Sequence, residues 1–130
     1  MKLVLDASAA LAIAAEKADS GLWALLDDAE EVLAPDLFVA EATNGVWKYH
    51  EFSGISPATA DERLEIAIGF VDTWIPCRDL YREALALASV ARRPSYDMFY
   101  LALARREGAQ LLTLDKALRK EASKRGIATV

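Results

Sequence analysis

The chain opens with Lys2-Leu3-Val4-Leu5-Asp6-Ala7-Ser8, in which a short apolar run ends at an acid and an alanine-rich segment follows. The apolar run predicts a buried strand at 2–5, and the segment after it predicts a helix at 7–16. The same order returns later, with a strand predicted at 110–114, then Asp115, then a helix predicted at 116–125. Repeated units of this kind favour an α/β fold with a mainly parallel sheet.

Between these two units the chain alternates further apolar runs with segments of helical period. They predict strands at 32–34, 74–77 and 127–130, and helices at 19–31, from 36 to about 51, from 57 onward, at 79–92 and at 95–107. We expect helix caps at Asp36, Ser56 and Ser95, and helix ends at Gly108 and Gly126. The 130 residues contain no visible linker, so one domain over 1–130 is expected.

Composition excludes several classes of protein. No apolar run reaches the roughly 20 residues that a membrane span needs, and the acid at position 6 comes too early for a secretory signal. Cys77 is the only cysteine, so an internal disulfide is impossible and a cytoplasmic location is expected. His50 is the only histidine, which excludes a histidine-rich zinc site and leaves a nucleophilic cysteine without an obvious partner.

Charge is distributed unevenly along the chain. Residues 1–77 carry 4 basic and 14 acidic side chains, whereas residues 78–130 carry 11 basic and 6 acidic ones. A protein polarised in this way can present a basic surface to phosphates even though its net charge is −5. Uneven solvated helix faces would give the same count, and composition alone does not separate the two interpretations.

Asp6 and Asp115 each follow a predicted strand. Ligands of parallel α/β sheets bind at the carboxyl ends of strands, so both acids are candidates for a functional site. Each could instead cap the helix that starts at the next residue. The two roles are compatible, because a capping carboxylate can still direct one oxygen at a ligand.

Two further acids stand in helical segments. Glu41 shares a helix face with Leu37, Asn44 and Lys48, and it is either a solvated edge or part of a polar site. Asp97 lies in the first turn of a helix whose next residues are almost all apolar. The helix dipole favours an anion there, but an acid at the start of a buried helix is better explained by a site. If the four acids converge, their repulsion favours a bound hard cation such as Mg²⁺ or Mn²⁺, which would suit phosphodiester hydrolysis.

These residues resemble a known family. The segments are Asp6-Ala7-Ser8, Glu41-Ala42-Thr43-Asn44, Tyr96-Asp97-Met98-Phe99-Tyr100-Leu101-Ala102-Leu103-Ala104 and Leu111-Leu112-Thr113-Leu114-Asp115. In this order they resemble the PIN-domain family, and most of all the VapC-type toxins of prokaryotic toxin–antitoxin pairs. The resemblance spans essentially the whole chain, and the segment from Tyr96 to Ala104 is its most specific part.

The resemblance implies a three-layer α/β/α sandwich with a five-stranded parallel sheet in the order 3-2-1-4-5. It implies an Mg²⁺- or Mn²⁺-dependent endoribonuclease whose catalytic and metal-binding acids are Asp6, Glu41, Asp97 and Asp115. Ser8, Asn44 and Thr113 would support the acids. It also implies a homodimer and inhibition by a cognate antitoxin that lies in a groove near the active site. Some relatives carry a further acid where this chain has Ala117, so the fourth acidic position of the site depends on Asp115 alone.

Basic and apolar residues suggest possible contact surfaces. Arg92 and Arg93 precede the Asp97 helix, and the helix after Asp115 carries the basic residues Lys116, Arg119, Lys120 and Lys124. These residues either contact RNA phosphates or form a solvated face. The large apolar residues Leu22, Trp23, Leu26, Trp47 and Phe52 either form an exposed interface or belong to the core.

Two rival functions are weighed against the nuclease. Phosphatases and response-regulator receivers also place an acid after the first strand. The phosphatases need a second acid two residues later, where this chain has Ser8, and the third predicted strand ends without the acid that a receiver needs. The other rival is a catalytically silent module that acts only through protein contacts. The presence of all four acids argues against it.

Overall fold

The computed structural model describes residues 1–16 and 21–130. Its strands are β1 (Lys2–Leu5), β2 (Glu31–Pro35), β3 (Thr73–Ile75) and β4 (Gln110–Leu112). Its helices are α1 (Ala7–Ala14), α2 (Gly21–Asp28), α3 (Leu37–Ser53), α4 (Pro57–Gly69), α5 (Tyr81–Ala91), α6 (Ser95–Glu107) and α7 (Lys116–Lys124). Every predicted segment therefore appears, except that the last predicted strand is reduced and Asp19 and Ser20 of the second predicted helix lie outside the described residues.

The sheet is parallel and runs in the order β3-β2-β1-β4 across the described residues. In the register, Val4 of β1 lies opposite Leu33 of β2 on one side and Leu111 of β4 on the other. The prediction of five strands was wrong in its last member. Residues 127–130 form only an isolated parallel bridge, between Thr129 and Leu111, because β4 is itself only three residues long and Leu111 alone of them exchanges backbone hydrogen bonds with this segment.

Helices pack around this sheet to give the α/β fold. Helix α6 lies against β1 and β2 and carries α5 on its other side, while α1, α3 and α4 pack on one another. The buried faces meet in one apolar core, whose largest fully buried side chains include Tyr100, Phe38, Leu3, Leu5, Leu33, Met98 and Leu111. None of the helices that the structure describes is long and apolar enough to cross a membrane.

Several helix ends follow the predicted capping pattern. Ser56 caps α4, because its hydroxyl accepts the backbone N–H of Thr59 at 3.1 Å and Pro57 fills the first helical position. Gly108 ends α6 in the left-handed conformation, with φ +61°, which a residue without a Cβ adopts at little cost.

The cap predicted at Asp36 is right in position but not in its bond, and the cap predicted at Ser95 was wrong. The carboxylate of Asp36 makes no capping bond in α3; its Oδ1 accepts the backbone N–H of Cys77 at 3.0 Å instead, which ties α3 to the chain after β3. Ser95 lies inside α6, and Pro94 occupies the cap position. Burial and the neighbouring Asp36 raise the pKa of the Cys77 thiol to about 11, so the thiol stays protonated at neutral pH and is a poor nucleophile.

The central strand supplies a test of this core. Val4 is fully buried in β1, so Val4→Ala should lower the free energy of unfolding by about 2 to 3 kcal/mol through lost burial and an unfilled space. Val90 on α5 is 71% exposed, and Val90→Ala should change it by less than about 0.5 kcal/mol. Urea denaturation measures both, and equal effects of the two substitutions would contradict the position given to β1.

Candidate active site

Four acidic side chains meet at the carboxyl end of the sheet. Asp6 directly follows β1, and Asp115 comes three residues after β4. Glu41 lies early in α3, and Asp97 lies in the first turn of α6. These acids are close enough for the charge of one to raise the pKa of another. Asp97 and Asp115 raise the pKa of Asp6, Asp97 and Asp6 raise that of Glu41, and Asp115 raises that of Asp97. The fold thus brings together acids that are far apart in the sequence.

Asp6 is the most buried of the four, at 5% exposure. Its Oδ1 accepts the backbone N–H of Ala9 at 2.8 Å, which caps α1, and lies 3.5 Å from the Ser8 hydroxyl. Its Oδ2 accepts a hydrogen bond from the buried hydroxyl of Thr113. Burial raises the pKa of Asp6 above its ordinary value, the bonds from Thr113 and Ala9 oppose that rise, and the charges of Asp97 and Asp115 add to it.

Asp115 combines the two roles that its position suggested. Its Oδ1 accepts the backbone N–H groups of Ala117 and Leu118 at 2.9 and 3.1 Å, which caps α7. Its own backbone N–H donates to the Thr113 hydroxyl at 3.1 Å. Thr113 therefore accepts from Asp115 while it donates to Asp6, so one threonine fixes the relative position of two acids.

Glu41 is held by a residue that the sequence reasoning did not single out. The Tyr100 hydroxyl donates to Glu41 Oε1 at 2.6 Å. Burial raises the pKa of Glu41, the Tyr100 bond opposes the rise, and Asp97 and Asp6 add to it. Burial and the charge of Glu41 likewise raise the pKa of Tyr100. The available signal was a tyrosine on the buried face of a helix, since a buried hydroxyl needs a partner.

Asp97 forms an ion pair with Arg93. One guanidinium nitrogen of Arg93 lies 3.2 Å from Asp97 Oδ2, four residues away. Burial raises the pKa of Asp97, Arg93 lowers it, and Asp115 raises it again. Arg93 was predicted to contact RNA, and in this structure its guanidinium is directed at an acid of the cluster.

The remaining predicted residues lie around the cluster. Asn44 is exposed on α3, one turn after Glu41. Arg92 is exposed and ends α5 with φ +55°, a left-handed conformation that costs a non-glycine residue about 1 kcal/mol or more. Lys116 and Arg119 stand in the first turns of α7, directly after Asp115, with Lys116 exposed and Arg119 partly so.

The donor set of the cluster suits a hard divalent cation. It offers four carboxylates and the hydroxyls of Ser8 and Thr113, which are oxygen ligands of the kind that Mg²⁺ and Mn²⁺ prefer. Within 1–16 and 21–130, no three His, Cys, Asp or Glu side chains stand close enough to hold one ion as they are placed. Burial, together with the neighbouring acids, raises the pKa values of Asp6, Glu41 and Asp97, and a bound cation would lower them by supplying positive charge.

Comparisons with known proteins agree with this site. The sequence model of the PIN domain matches residues 3–124. The chain is 34% identical over 122 residues to ribonuclease VapC3 of Pyrobaculum aerophilum, covering 91% of this chain and 92% of that protein. The crystal structure of PAE2754 from Pyrobaculum aerophilum superposes with a TM-score of 0.78 and 25% identity, covering 100% of this chain and 84% of that one.

A more distant structure supports the fold. VapBC2 from Rickettsia felis, solved with a DNA fragment from its promoter, has a TM-score of 0.67 and 18% identity, and covers 100% of this chain and 98% of that chain. None of the matches described belongs to the phosphatase or receiver classes, so the comparisons favour the nuclease interpretation over that rival.

The raised pKa of Asp6 predicts how stability depends on pH without metal. The folded chain holds this proton more tightly than the unfolded chain, so the penalty is absent below the unfolded pKa and grows as pH rises through the folded pKa. In EDTA, Asp6→Asn should therefore raise the free energy of unfolding at pH 7 by on the order of 1 kcal/mol, and by much less near pH 4. Asparagine still caps α1.

Asp61→Asn is the matched control, because Asp61 is an exposed carboxylate on α4. It should change the free energy of unfolding by less than about 0.5 kcal/mol at either pH. Thermal or urea unfolding of both variants measures the effect, and a destabilised Asp6→Asn at pH 7 would show that the charge of Asp6 is favourable in the metal-free fold.

Proposed function

This chain belongs to the PIN-domain family, and from that membership we propose that it is a metal-dependent endoribonuclease that acts as the toxin of a toxin–antitoxin pair. The observation that carries the proposal is the convergence of Asp6, Glu41, Asp97 and Asp115 at one edge of the sheet. Its relative VapC3, of nearly the same length, is named a ribonuclease. The proposal includes a cytoplasmic location.

Mg²⁺ or Mn²⁺ is the cofactor that we propose. Asp6, Glu41, Asp97 and Asp115 would hold it, because their oxygens match its ligand preference and their mutual repulsion is relieved by its charge. When bound, the ion would activate water for attack on a phosphodiester and stabilise charge on the departing oxygen.

The chain itself fixes the geometry that such a reaction needs. The hydrogen bonds of Asp6 to Ala9 and Thr113, and those of Asp115 to the start of α7, hold these carboxylates before any ligand arrives. A site held in advance spends little free energy on reorganisation during the reaction. Because Asp6 is nearly inaccessible to water, its charge also acts more strongly on a bound cation than an exposed charge would.

RNA would reach the cluster along basic residues. Lys116 and Arg119 follow Asp115 on α7, and Arg92 is exposed just before Arg93 and the Asp97 helix. We propose that these four cations contact phosphates on either side of the scissile bond. Arg93 would do so only after its guanidinium leaves Asp97, which a cation bound at Asp97 would favour.

An apolar cavity beside the site is the proposed seat of the antitoxin. It measures about 350 Å³ and is lined by Ser8, Leu11, Gly45, Lys48, Tyr49, Phe52 and Ser53. Phe52 is 77% exposed and contacts Trp47, which is 51% exposed, so part of the apolar patch suggested by the sequence is on the surface while Leu26 is in the core.

The proposal also includes a homodimer, and a solution mass of 14.2 kDa would exclude it.

Cleavage of RNA tests the activity directly. The chain should cut total cellular RNA in millimolar Mg²⁺ or Mn²⁺ and should not cut it in EDTA. Asp97→Asn should lower the rate by about two to three orders of magnitude, because it removes one of the charges that hold the cation. Asp61→Asn, the same change at an exposed position on α4, should leave the rate within about twofold of the wild type.

Two outcomes would contradict this prediction. Cleavage that persists in EDTA would rule out the metal mechanism. A folded chain that cuts no RNA with either ion, but still binds a protein encoded beside it, would instead support the catalytically silent module. Growth arrest on expression that is relieved by Asp97→Asn would support the role as a toxin.

The cavity supplies a separate test of the antitoxin. Phe52→Ser removes an exposed apolar wall of the cavity, so binding to the proposed antitoxin protein should weaken by at least about tenfold, as expected for an aromatic interface residue. Ribonuclease activity should remain. Val90→Ser, at a residue of similar exposure on α5, is the control, and titration calorimetry is the measurement. Equal affinity of the wild type and the Phe52 variant would exclude this cavity as the binding site.

A further inference from the structure

Tyr100 is a buried tyrosine whose hydroxyl contacts the acidic cluster. The residue is 1% exposed and is the largest fully buried side chain in the described part of the chain. Its hydroxyl donates to Glu41 Oε1 at 2.6 Å, and the phenol oxygen also lies near the backbone N–H of Ala7. One phenol thus connects α6 with α3, close to the first residue of α1.

Packing alone does not explain a tyrosine at this position. Phenylalanine would fill the same space without the cost of burying a hydroxyl, which is repaid only when the hydroxyl has a partner. Here the partner is a carboxylate of the site, and a bond of 2.6 Å to an ionised acid is of the short, charge-assisted kind. The hydroxyl is therefore best explained by what it does to Glu41.

The hydrogen bond removes freedom that Glu41 would otherwise have. A glutamate on a helix surface has three rotatable side-chain bonds, and fixing them costs free energy at the moment a ligand binds. Tyr100 meets this cost during folding, because its own ring is locked in the core. Tyr100 lies one turn after Asp97 on α6, and Ala7 directly follows Asp6 in the chain. The phenol therefore also limits how far Glu41 can move relative to these two acids.

We propose that Tyr100 is a positioning residue, whose hydroxyl restrains Oε1 of Glu41 on the side of the site where Asp6 and Asp97 lie, so that the carboxylate has less freedom to lose when these acids close on a divalent cation. This inference rests on the proposed function. Tyr100 itself does not bind the cation; it acts through Glu41. Outer groups that orient metal ligands commonly change metal affinity by 10- to 100-fold when they are removed.

A double-mutant cycle on Mn²⁺ binding tests the proposal. The intact chain and the variants Tyr100→Phe, Glu41→Ala and the pair together are titrated with Mn²⁺, and free Mn²⁺ is counted by electron paramagnetic resonance. Tyr100→Phe should weaken binding by about tenfold. In the Glu41→Ala background, the same change should weaken it by less than about twofold, because the carboxylate through which Tyr100 acts is absent.

Tyr81→Phe is the matched control. It removes a hydroxyl from an exposed tyrosine on α5, which accepts a hydrogen bond from Arg82, and it should leave Mn²⁺ binding unchanged. Unfolding in EDTA is measured for each variant. If Tyr100→Phe does not fold, Glu41→Asp replaces it. That variant keeps the charge but shortens the reach to Tyr100, so its Mn²⁺ affinity should also fall by about tenfold, and an affinity equal to that of the intact chain would overturn the proposal.

The outcomes separate this proposal from the proposed function. An intact chain that binds no Mn²⁺ overturns both. If the intact chain binds Mn²⁺ and Glu41→Ala weakens binding while Tyr100→Phe does not, only the positioning role is overturned. Equal weakening by Tyr100→Phe in both backgrounds also overturns it, because the phenol would then act on the fold in general and not through Glu41.

Discussion

Parallel pairing of β1 with β2 and β4 is the constraint on which the site depends. Parallel strands end at one edge of a sheet, so the acids that follow β1 and β4 must face the same side of the molecule. Thr113 converts this rough proximity into fixed geometry, because it continues β4 and bonds to both Asp6 and Asp115. Helices α3 and α6 then need only cross this edge to add the other two acids.

Gathering the acids opposes the stability of the metal-free fold. Burial and neighbouring charges raise the pKa values of Asp6, Glu41 and Asp97 together, which means that each carboxylate is less stable ionised here than in water. Apolar contacts of β1 and α6 offset this cost. Three of the four residues of β1 are buried, and so are six residues of α6. Strain of this kind, concentrated where a ligand is expected, is common at functional sites.

Sequence patterns predicted the elements better than their ends and contacts. Apolar runs and helical periods located the four strands and seven α-helices of the described residues, because burial depends on local periodicity. They overestimated residues 127–130, since a strand needs a partner along its length and only Leu111 is available to pair with Thr129. The partner of Asp36 could not be predicted, because Cys77 comes close only after β2 and β3 have paired.

For the acids of the site too, local sequence patterns predicted positions but not contacts. Asp6 and Asp115 could be located because an acid after a strand is visible in the sequence. The pairing of Arg93 with Asp97 has the ordinary spacing of four along a helix, but here it spans the irregular turn before α6, where periodicity gives no guidance. The bond from Tyr100 to Glu41 joins residues 59 positions apart, and nothing local in the sequence marks it.

Helix ends support three of the acids but not Glu41. Asp6 and Asp115 cap α1 and α7, and Asp97 lies in the first turn of α6, so three carboxylates stand where the unpaired N–H groups and the dipole of a helix favour negative charge. Glu41 is the fifth residue of α3, where the N–H groups are already paired and the dipole has faded. Asp6 and Asp97 add side-chain partners, Thr113 and Arg93, to these helix ends. Glu41 has no helix end beside it, and the donor that the fold provides there is the hydroxyl of Tyr100.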